Sequence, residues 1–359
     1  MSREGYFRQV LAGNRRDLPA RLLGAVLSPL ALPYALVMRL RALAYAWGVL
    51  RTHRLGRPVI SVGNLTAGGT GKTPTAALLA RMLLARGMRV ALLSRGYGGS
   101  LEGETRIVSD GCTVFLSAVE AGDEPVLLAR TVQGLMVVIG ADRYQAGLLA
   151  ERELAPDIFL LDDGFQHIRL YRDLNILLLD CRNPFGNGRT LPAGLLREPR
   201  SAAARADLVI FTRCAENDAP TASAGLPSCR AGHRLTALEP LPEGETIPFA
   251  ALTGERVFVF AGIAEPEHFF AGLRAAGLAV VGSLPLSDHC RYGEAEIAAL
   301  RRQAAESGAS VFVTTGKDAV KLTPFLSRLG RTYAATLELD IFDPAPLEAA
   351  LDKVLSRER

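Results

Sequence analysis

The sequence predicts an α/β fold, a parallel-sheet domain joined to a second, smaller α/β domain, and three features carry that expectation. Short apolar, β-branched runs look buried on both faces, as strands of a covered parallel sheet do. A glycine-rich loop joins one such run to a helical stretch. After a polar segment rich in Ala, Ser and Pro, Ala215–Leu226, strand and helix patterns alternate again. The 359 residues are 49% hydrophobic and 22% charged, a globular balance long enough for two domains plus an extra segment.

The elements follow in order. Pro58–Val62 reads as a strand, Gly63–Thr73 as the glycine-rich loop and Pro74–Arg86 as a helix. Val90–Ser94, Leu135–Ile139 and Ile158–Leu161 read as further strands, with helical stretches at Glu124–Val132 and Asp142–Leu154. In the second half, strands at Val257–Ala261, Ala279–Val281 and Val311–Thr315 alternate with helices at Pro266–Ala276, Ile297–Glu306 and Pro344–Leu355. The expected division is residues 1–57 as an N-terminal helical segment, 58–225 as the core, and 226–359 as a smaller domain closing over the first by a hinge motion.

The net charge of +4 hides an asymmetry. Residues 1–57 hold ten arginines, Arg16 among them, against Glu4 and Asp17, so this head carries +8 and the remainder −4. A basic stripe on a nucleic-acid protein would lie on the folded domain, so no nucleic-acid partner is expected. The five cysteines, Cys112, Cys181, Cys214, Cys229 and Cys290, lack CxxC spacing, which argues against a disulfide framework or a zinc site.

Leu22–Met38 is uncharged over 17 residues and flanked by Arg21, Arg39 and Arg41. That is the lower edge of a bilayer span, and Pro29 and Pro33 are expected to interrupt the helix. The run is too long and begins too late for a signal peptide. A helix or broken helix pair lying in an anionic membrane interface is therefore expected, each arginine contributing about 1 kcal/mol near the headgroups.

The loop Gly63–Thr73 has the strand–loop–helix context that a P-loop requires. Phosphate is held by converging backbone N–H groups at a helix N-terminus, and side chains would block that approach. Thr66, Ala67, Gly68, Gly69, Thr70 and Gly71 form the cradle, Lys72 reaches the β- and γ-phosphates, and Thr73 offers its hydroxyl to Mg²⁺. The chain has four lysines, Lys72, Lys317, Lys321 and Lys353, against 37 arginines, so a lysine at this point is informative. Thr66 stands where the usual first glycine would be. Ile158–Asp163 ends a strand with paired acids, the form of a Walker-B carboxylate, with Asp162 as the metal-side acid. ATP and Mg²⁺ are the expected cofactors.

P-loop proteins phosphorylate a second substrate or hydrolyse ATP to change shape. Membrane-bound switch ATPases often carry a second lysine ahead of the paired glycines, where this chain has Ala67, which weakens that alternative. A kinase needs a group to accept the acceptor's proton. Two places offer one: Gly122-Asp-Glu-Pro125, at a helix start, and Ser287-Asp-His-Cys290.

At this point the residues resemble the tetraacyldisaccharide 4′-kinases of lipid A biosynthesis. The resemblance rests on Val62–Pro74, Ser94-Arg-Gly-Tyr-Gly98, Gly122–Pro125, Asp162-Asp-Gly-Phe-Gln-His167, Leu191–Gly194 with Leu196–Pro199, Phe260–Ile263, Asp288-His289 and Lys317-Asp-Ala-Val-Lys321. Thr66 is the family's own pattern. Cys290 and Gly316 depart from it, where relatives often have His or an aromatic, and Glu. The resemblance implies transfer of the γ-phosphate of ATP to the 4′-hydroxyl of an acylated glucosamine disaccharide 1-phosphate, giving lipid IVA. The setting it implies is the cytoplasmic face of the bacterial inner membrane, with no obligate protein partner. It also implies that Asp123 is the base, oriented by His289, that Glu124 assists at the metal with Thr73 and Asp162, and that Asp163, Gln166 and His167 order the site. Arg95, Arg143 and His167 are the candidates for substrate-phosphate contacts.

Overall fold

The computed structural model describes residues 3–13, 15, 17–220 and 225–356. Arg16 and the residues 221–224 of the expected linker lie outside the described residues, as do the side chains of Arg3 and Arg8. The chain divides into two compact units, each discontinuous in sequence. Met1–Leu93, Asp142–Gly232 and Asp340–Arg359 form the first, and Ser94–Ala141 with His233–Leu339 the smaller second.

The first unit is built on a parallel sheet. Its strands run in the order Ser228–Pro240 (by its first residues), Leu208–Thr212, Leu174–Asp180, Val59–Asn64, Ile158–Leu161 and Val90–Ser94. Neighbours pair in parallel, with Ile60 opposite both Leu160 and Leu174 and Leu177 opposite Val209. Val59–Asn64 is buried along its whole length, as a central strand covered on both faces must be. The first strand leads through the glycine-rich loop into the helix Lys72–Ala85. Leu65, Phe165, Leu177, Leu196 and Phe211 belong to a common core cluster.

In the second unit four parallel strands run in the order Ala279–Pro285, Arg256–Ala261, Val311–Thr315 and Thr332–Ile341. Arg106–Asp110 pairs antiparallel with Met136–Ile139. The helix Asp123–Thr131 packs against the helix Gly316–Leu322. Phe258, Phe260, Ile297 and Leu300 fill one core, and Val257, Val259, Phe270 and Val313 another, so that alternate residues of one strand serve both faces.

The α/β class is as the sequence predicts, and Val90–Ser94, Ile158–Leu161 and Val311–Thr315 have the expected bounds. The two units do not coincide with the expected segments 1–57, 58–225 and 226–359. Ser94–Ala141 groups with His233–Leu339, because packing joins its helix to one some 190 residues later. Strands Arg106–Asp110, Leu174–Asp180, Leu208–Thr212, Ser228–Pro240 and Thr332–Ile341 were not expected.

Of the two forms expected for the N-terminal segment, the single helix is found. Leu18–Ala46 is one 29-residue helix with Pro29 and Pro33 inside it, not a broken pair. Each proline removes one backbone donor, but bonds on both sides hold the segment as a single rod. Arg189 reaches the Gly24 carbonyl and the Ser28 hydroxyl, Thr190 donates to the Ala31 carbonyl at 3.1 Å, and Tyr34 to the Arg197 carbonyl at 2.9 Å. The helix is long and apolar enough to cross a membrane, and only a small share of its apolar stretch is buried. Leu22, Val26, Leu30, Leu32, Leu36, Val37 and Leu40 are all exposed.

Candidate active site

In the first unit the phosphate loop is shaped by bonds to its carbonyl groups. Arg213 donates to the Gly69 carbonyl at 2.6 Å, and the Thr212 hydroxyl to the Thr70 carbonyl at 2.9 Å. Asn64 donates to the Gly68 carbonyl at 3.5 Å and to the Thr70 hydroxyl at 2.7 Å. Because a trans peptide points its N–H opposite its C=O, the amides of Gly69, Thr70 and Gly71 face away from these donors. Gly71, at φ 81°, turns the chain into the helix, a conformation that a Cβ would strain. Ala67 is committed elsewhere: its N–H donates to the Leu195 carbonyl at 2.7 Å, and Thr66 bridges to Leu196.

Lys72 Nζ lies 3.9 Å from Asp163 Oδ1 and 3.4 Å from the Gly68 carbonyl. Arg197 Nη1 donates to both Asp163 oxygens, at 2.9 and 2.7 Å. Burial works to raise the Asp163 pKa, but Lys72, Arg197 and Arg143 outweigh it and hold the carboxyl below its usual range. Asp162 is buried at the end of its strand, and Thr73 is buried in the first turn of the loop's helix. Both offer hard oxygen, which fits Mg²⁺, an ion that keeps most of its shell for water and phosphate. Among the described residues no three His, Cys, Asp or Glu are grouped to hold a metal alone. Gln166 donates to the Asn64 carbonyl at 2.8 Å and so braces the loop from behind. Burial, followed by Arg143, pushes His167 down to about 4, so it can offer an N–H to phosphate but no charge. Arg143 is buried at the start of the helix Arg143–Glu153, which Asp142 caps.

In the second unit Asp123, buried at a helix N-terminus, lies with its Oδ2 3.1 Å from His289 Nδ1, while its Oδ1 accepts the Glu124 N–H at 3.0 Å. Burial raises the Asp123 pKa, but His289, Lys317 and Lys321 together bring it below its ordinary value. The bond to Asp123 raises His289, against burial. The Tyr97 ring meets the imidazole edge-on, with centroids 5.8 Å apart. Gly122 takes φ 89°, and a Cβ there would come within 2.6 Å of the Tyr97 carbonyl. Glu124, expected at the metal, is ion-paired with Lys317. Arg95, expected at a phosphate, makes an exposed pair with Glu102 at 3.2 Å, the ordinary fate of a surface arginine. Gly316 opens the helix that carries Lys317, and Cys290 is a buried free thiol.

Four non-glycine residues among those described have positive φ: Ala155, Asp163, Arg213 and His289. Three of them belong to these two groups, and such strain concentrates at functional positions. The sequence reading missed Asn64, Arg197, Arg213, Lys317 and Lys321. Arg197 and the two lysines lie inside segments that carry the resemblance, but no spacing rule assigns them partners.

A strand–P-loop–helix unit with an acid at the neighbouring strand end defines a P-loop nucleotide-binding protein, and the Asp–His pair of the second unit is the equipment of a phosphotransferase. Residues 23–356 match the family model of tetraacyldisaccharide-1-P 4′-kinase, and the chain belongs to that family. The tetraacyldisaccharide 4′-kinase of Geobacter sulfurreducens is 62% identical over 99% of this chain and 100% of its own length. That of Geobacter metallireducens is 63% identical over 93% of this chain and 99% of its own. A crystal structure of LpxK from Aquifex aeolicus, an "apo" form in complex with ATP, is 34% identical, with a TM-score of 0.79, 92% of this chain covered and 99% of that one.

Proposed function

We propose that this chain transfers the γ-phosphate of ATP to the 4′-hydroxyl of an acylated glucosamine disaccharide 1-phosphate, yielding lipid IVA, at the cytoplasmic face of a bacterial inner membrane. Family membership across residues 23–356 carries the reaction, and the phosphate loop supplies its ATP end. In this reading the loop amides and Lys72 hold the triphosphate. Thr73 and Asp162 are the residues that would hold Mg²⁺, and the ion would supply neutralisation of phosphate charge. Asp163, clamped by Arg197, sets the position of Lys72 until phosphate takes its place.

Asp123 acts as the base. A carboxylate with an ordinary pKa near 3.9 cannot deprotonate a sugar alcohol outright. In a loose transition state it accepts the proton late, once charge has grown on the oxygen. His289 holds the carboxylate in orientation and takes up part of the proton's charge. Glu124, which the resemblance implies at the metal, is ion-paired with Lys317.

A four-chain lipid stays in the membrane, so the enzyme must meet it there. The exposed apolar face of Leu18–Ala46, bordered by Arg21, Arg39 and Arg41, supports interfacial docking on anionic lipid. The test is incubation with labelled ATP, Mg²⁺ and bilayer-presented disaccharide 1-phosphate. Label in a bisphosphorylated lipid is expected. Release of phosphate to water alone would instead mark a switch ATPase.

A further inference from the structure

Thr212 and Arg213 follow one another at the end of the strand Leu208–Thr212, beside the phosphate loop. They hold two successive carbonyl groups of that loop, Thr212 that of Thr70 and Arg213 that of Gly69. Thr212 does so from within the strand. Arg213 does so from φ 60°, a left-handed backbone that a side chain disfavours. Glycine takes such turns elsewhere in this unit, as at Gly71 in the loop itself. An arginine here is destabilising unless its side chain does something that a glycine cannot.

The strained residue is fixed on both sides. The Thr212 carbonyl accepts the Cys181 N–H at 2.9 Å, and the Cys214 N–H donates to the Ala231 carbonyl at 3.0 Å. The guanidinium is anchored as well. Its Nη1 lies 3.4 Å from Asp180 Oδ2, while Asp180 Oδ1 accepts the N–H groups of Arg182 and Asn183, both at 3.0 Å. Its Nη2 is the nitrogen that donates to Gly69. The side chain is thus a strut between a pinned carboxylate and one loop carbonyl, and the planar fork of arginine suits that task. The Gly69 carbonyl shares its peptide plane with the Thr70 N–H, so holding the one aims the other. A loop rich in glycine has many other conformations open to it, and few of them make its amides converge.

We propose that Arg213 is a positioning residue for the triphosphate: strained at its backbone and braced by Asp180, it holds the Gly69–Thr70 peptide with its N–H turned to the phosphates. Stability is given up at this one residue for an anion nest that is formed before the nucleotide arrives. This rests on the reading of the loop as the ATP site. The arginine acts through the loop amides, so its effect follows the phosphates and not the base or the ribose.

The test measures, on the full chain, the affinity for a non-hydrolysable ATP analogue, the affinity for inorganic tripolyphosphate, and the Tm without nucleotide. Arg213→Gly and Arg213→Asn both accept a positive φ and lack the guanidinium. Each is expected to weaken both ligands about tenfold and to leave the nucleotide-free Tm level or higher. Arg213→Lys, which keeps a cation of similar reach, should recover the greater part of the affinity. An arginine that merely supports the fold would do the reverse, lowering Tm and sparing affinity. Unchanged affinity in both variants, a lowered Tm in both, or a loss confined to the nucleotide would each overturn the proposal. Lys72→Ala, titrated alongside, separates the two readings. Its retention of analogue binding would sink the loop assignment, and this proposal with it. Its loss of binding beside undiminished affinity in the Arg213 variants would sink this proposal alone.

Discussion

Tyr34, on the exposed apolar helix, donates its hydroxyl hydrogen to the main-chain carbonyl of Arg197 at 2.9 Å, and the guanidinium of that same Arg197 grips Asp163. The segment carrying Arg197 also touches the phosphate loop by backbone, through Arg197 N–H to the Leu65 carbonyl and Ala67 N–H to the Leu195 carbonyl, both at 2.7 Å. One short segment therefore braces the loop on one side and the exposed apolar helix on the other.

Removal of residues 1–50 should abolish flotation with anionic vesicles while the full chain floats with them, since the exposed apolar face and most of the basic head go together. Raising the salt should weaken flotation of the full chain, because the arginine contribution is screened. Equal flotation of both proteins would contradict the assignment.

Arg197→Met should weaken binding of a non-hydrolysable ATP analogue roughly tenfold, the effect of losing a bidentate charge-assisted pair. Asp163 would then be left with Lys72, 3.9 Å away, as a competitor of phosphate for the same ammonium. Isothermal titration of the analogue is the measurement, and unchanged affinity would remove Arg197 from the nucleotide site.

Lys72→Ala should abolish use of ATP, because Lys72 is the P-loop lysine and its ammonium lies against the loop, 3.4 Å from the Gly68 carbonyl. Asp123→Ala and His289→Ala should each lower kcat by about 100-fold or more with KM for ATP little changed, since they act on the acceptor's proton. Near-normal turnover in both would take the pair out of the mechanism.

His167 is half-buried and held neutral, its pKa depressed from 6.5 to about 4. The unfolded chain therefore binds a proton there that the folded chain does not, and stability falls as pH drops from 6.5 towards 4. His167→Gln should lessen this acid loss, by up to about 3 kcal/mol, and leave the pH dependence of kcat above that range unaltered. Urea unfolding at a series of pH values checks the first, and a kcat profile the second.

Much of the site was legible because its chemistry is local. Gly68–Thr73 must follow a strand and open a helix to hold phosphate, so spacing alone names Lys72 and Thr73. Asp162 is similarly marked by the apolar strand Ile158–Leu161 just before it. What stayed hidden depends on distant partners. Strands such as Leu208–Thr212 are short apolar runs that a buried helix could also contain, and only parallel pairing tells them apart. The prolines of the N-terminal helix carry a local signal to break that the contacts of Thr190 and Arg189 override.

The sequence by itself determined the α/β class, the phosphate loop and the apolar, arginine-flanked N-terminal segment, because hydrophobic period and loop chemistry act over a few residues. The tertiary structure alone decided that Lys317 takes Glu124 and that Asp163 answers to Arg197, and it delivered across 166 positions the contact of Asp123 with His289 that only the family resemblance had implied. Those pairings follow from where packing delivers each side chain, and no periodicity along the chain encodes a distance between elements that meet only once the cores are buried.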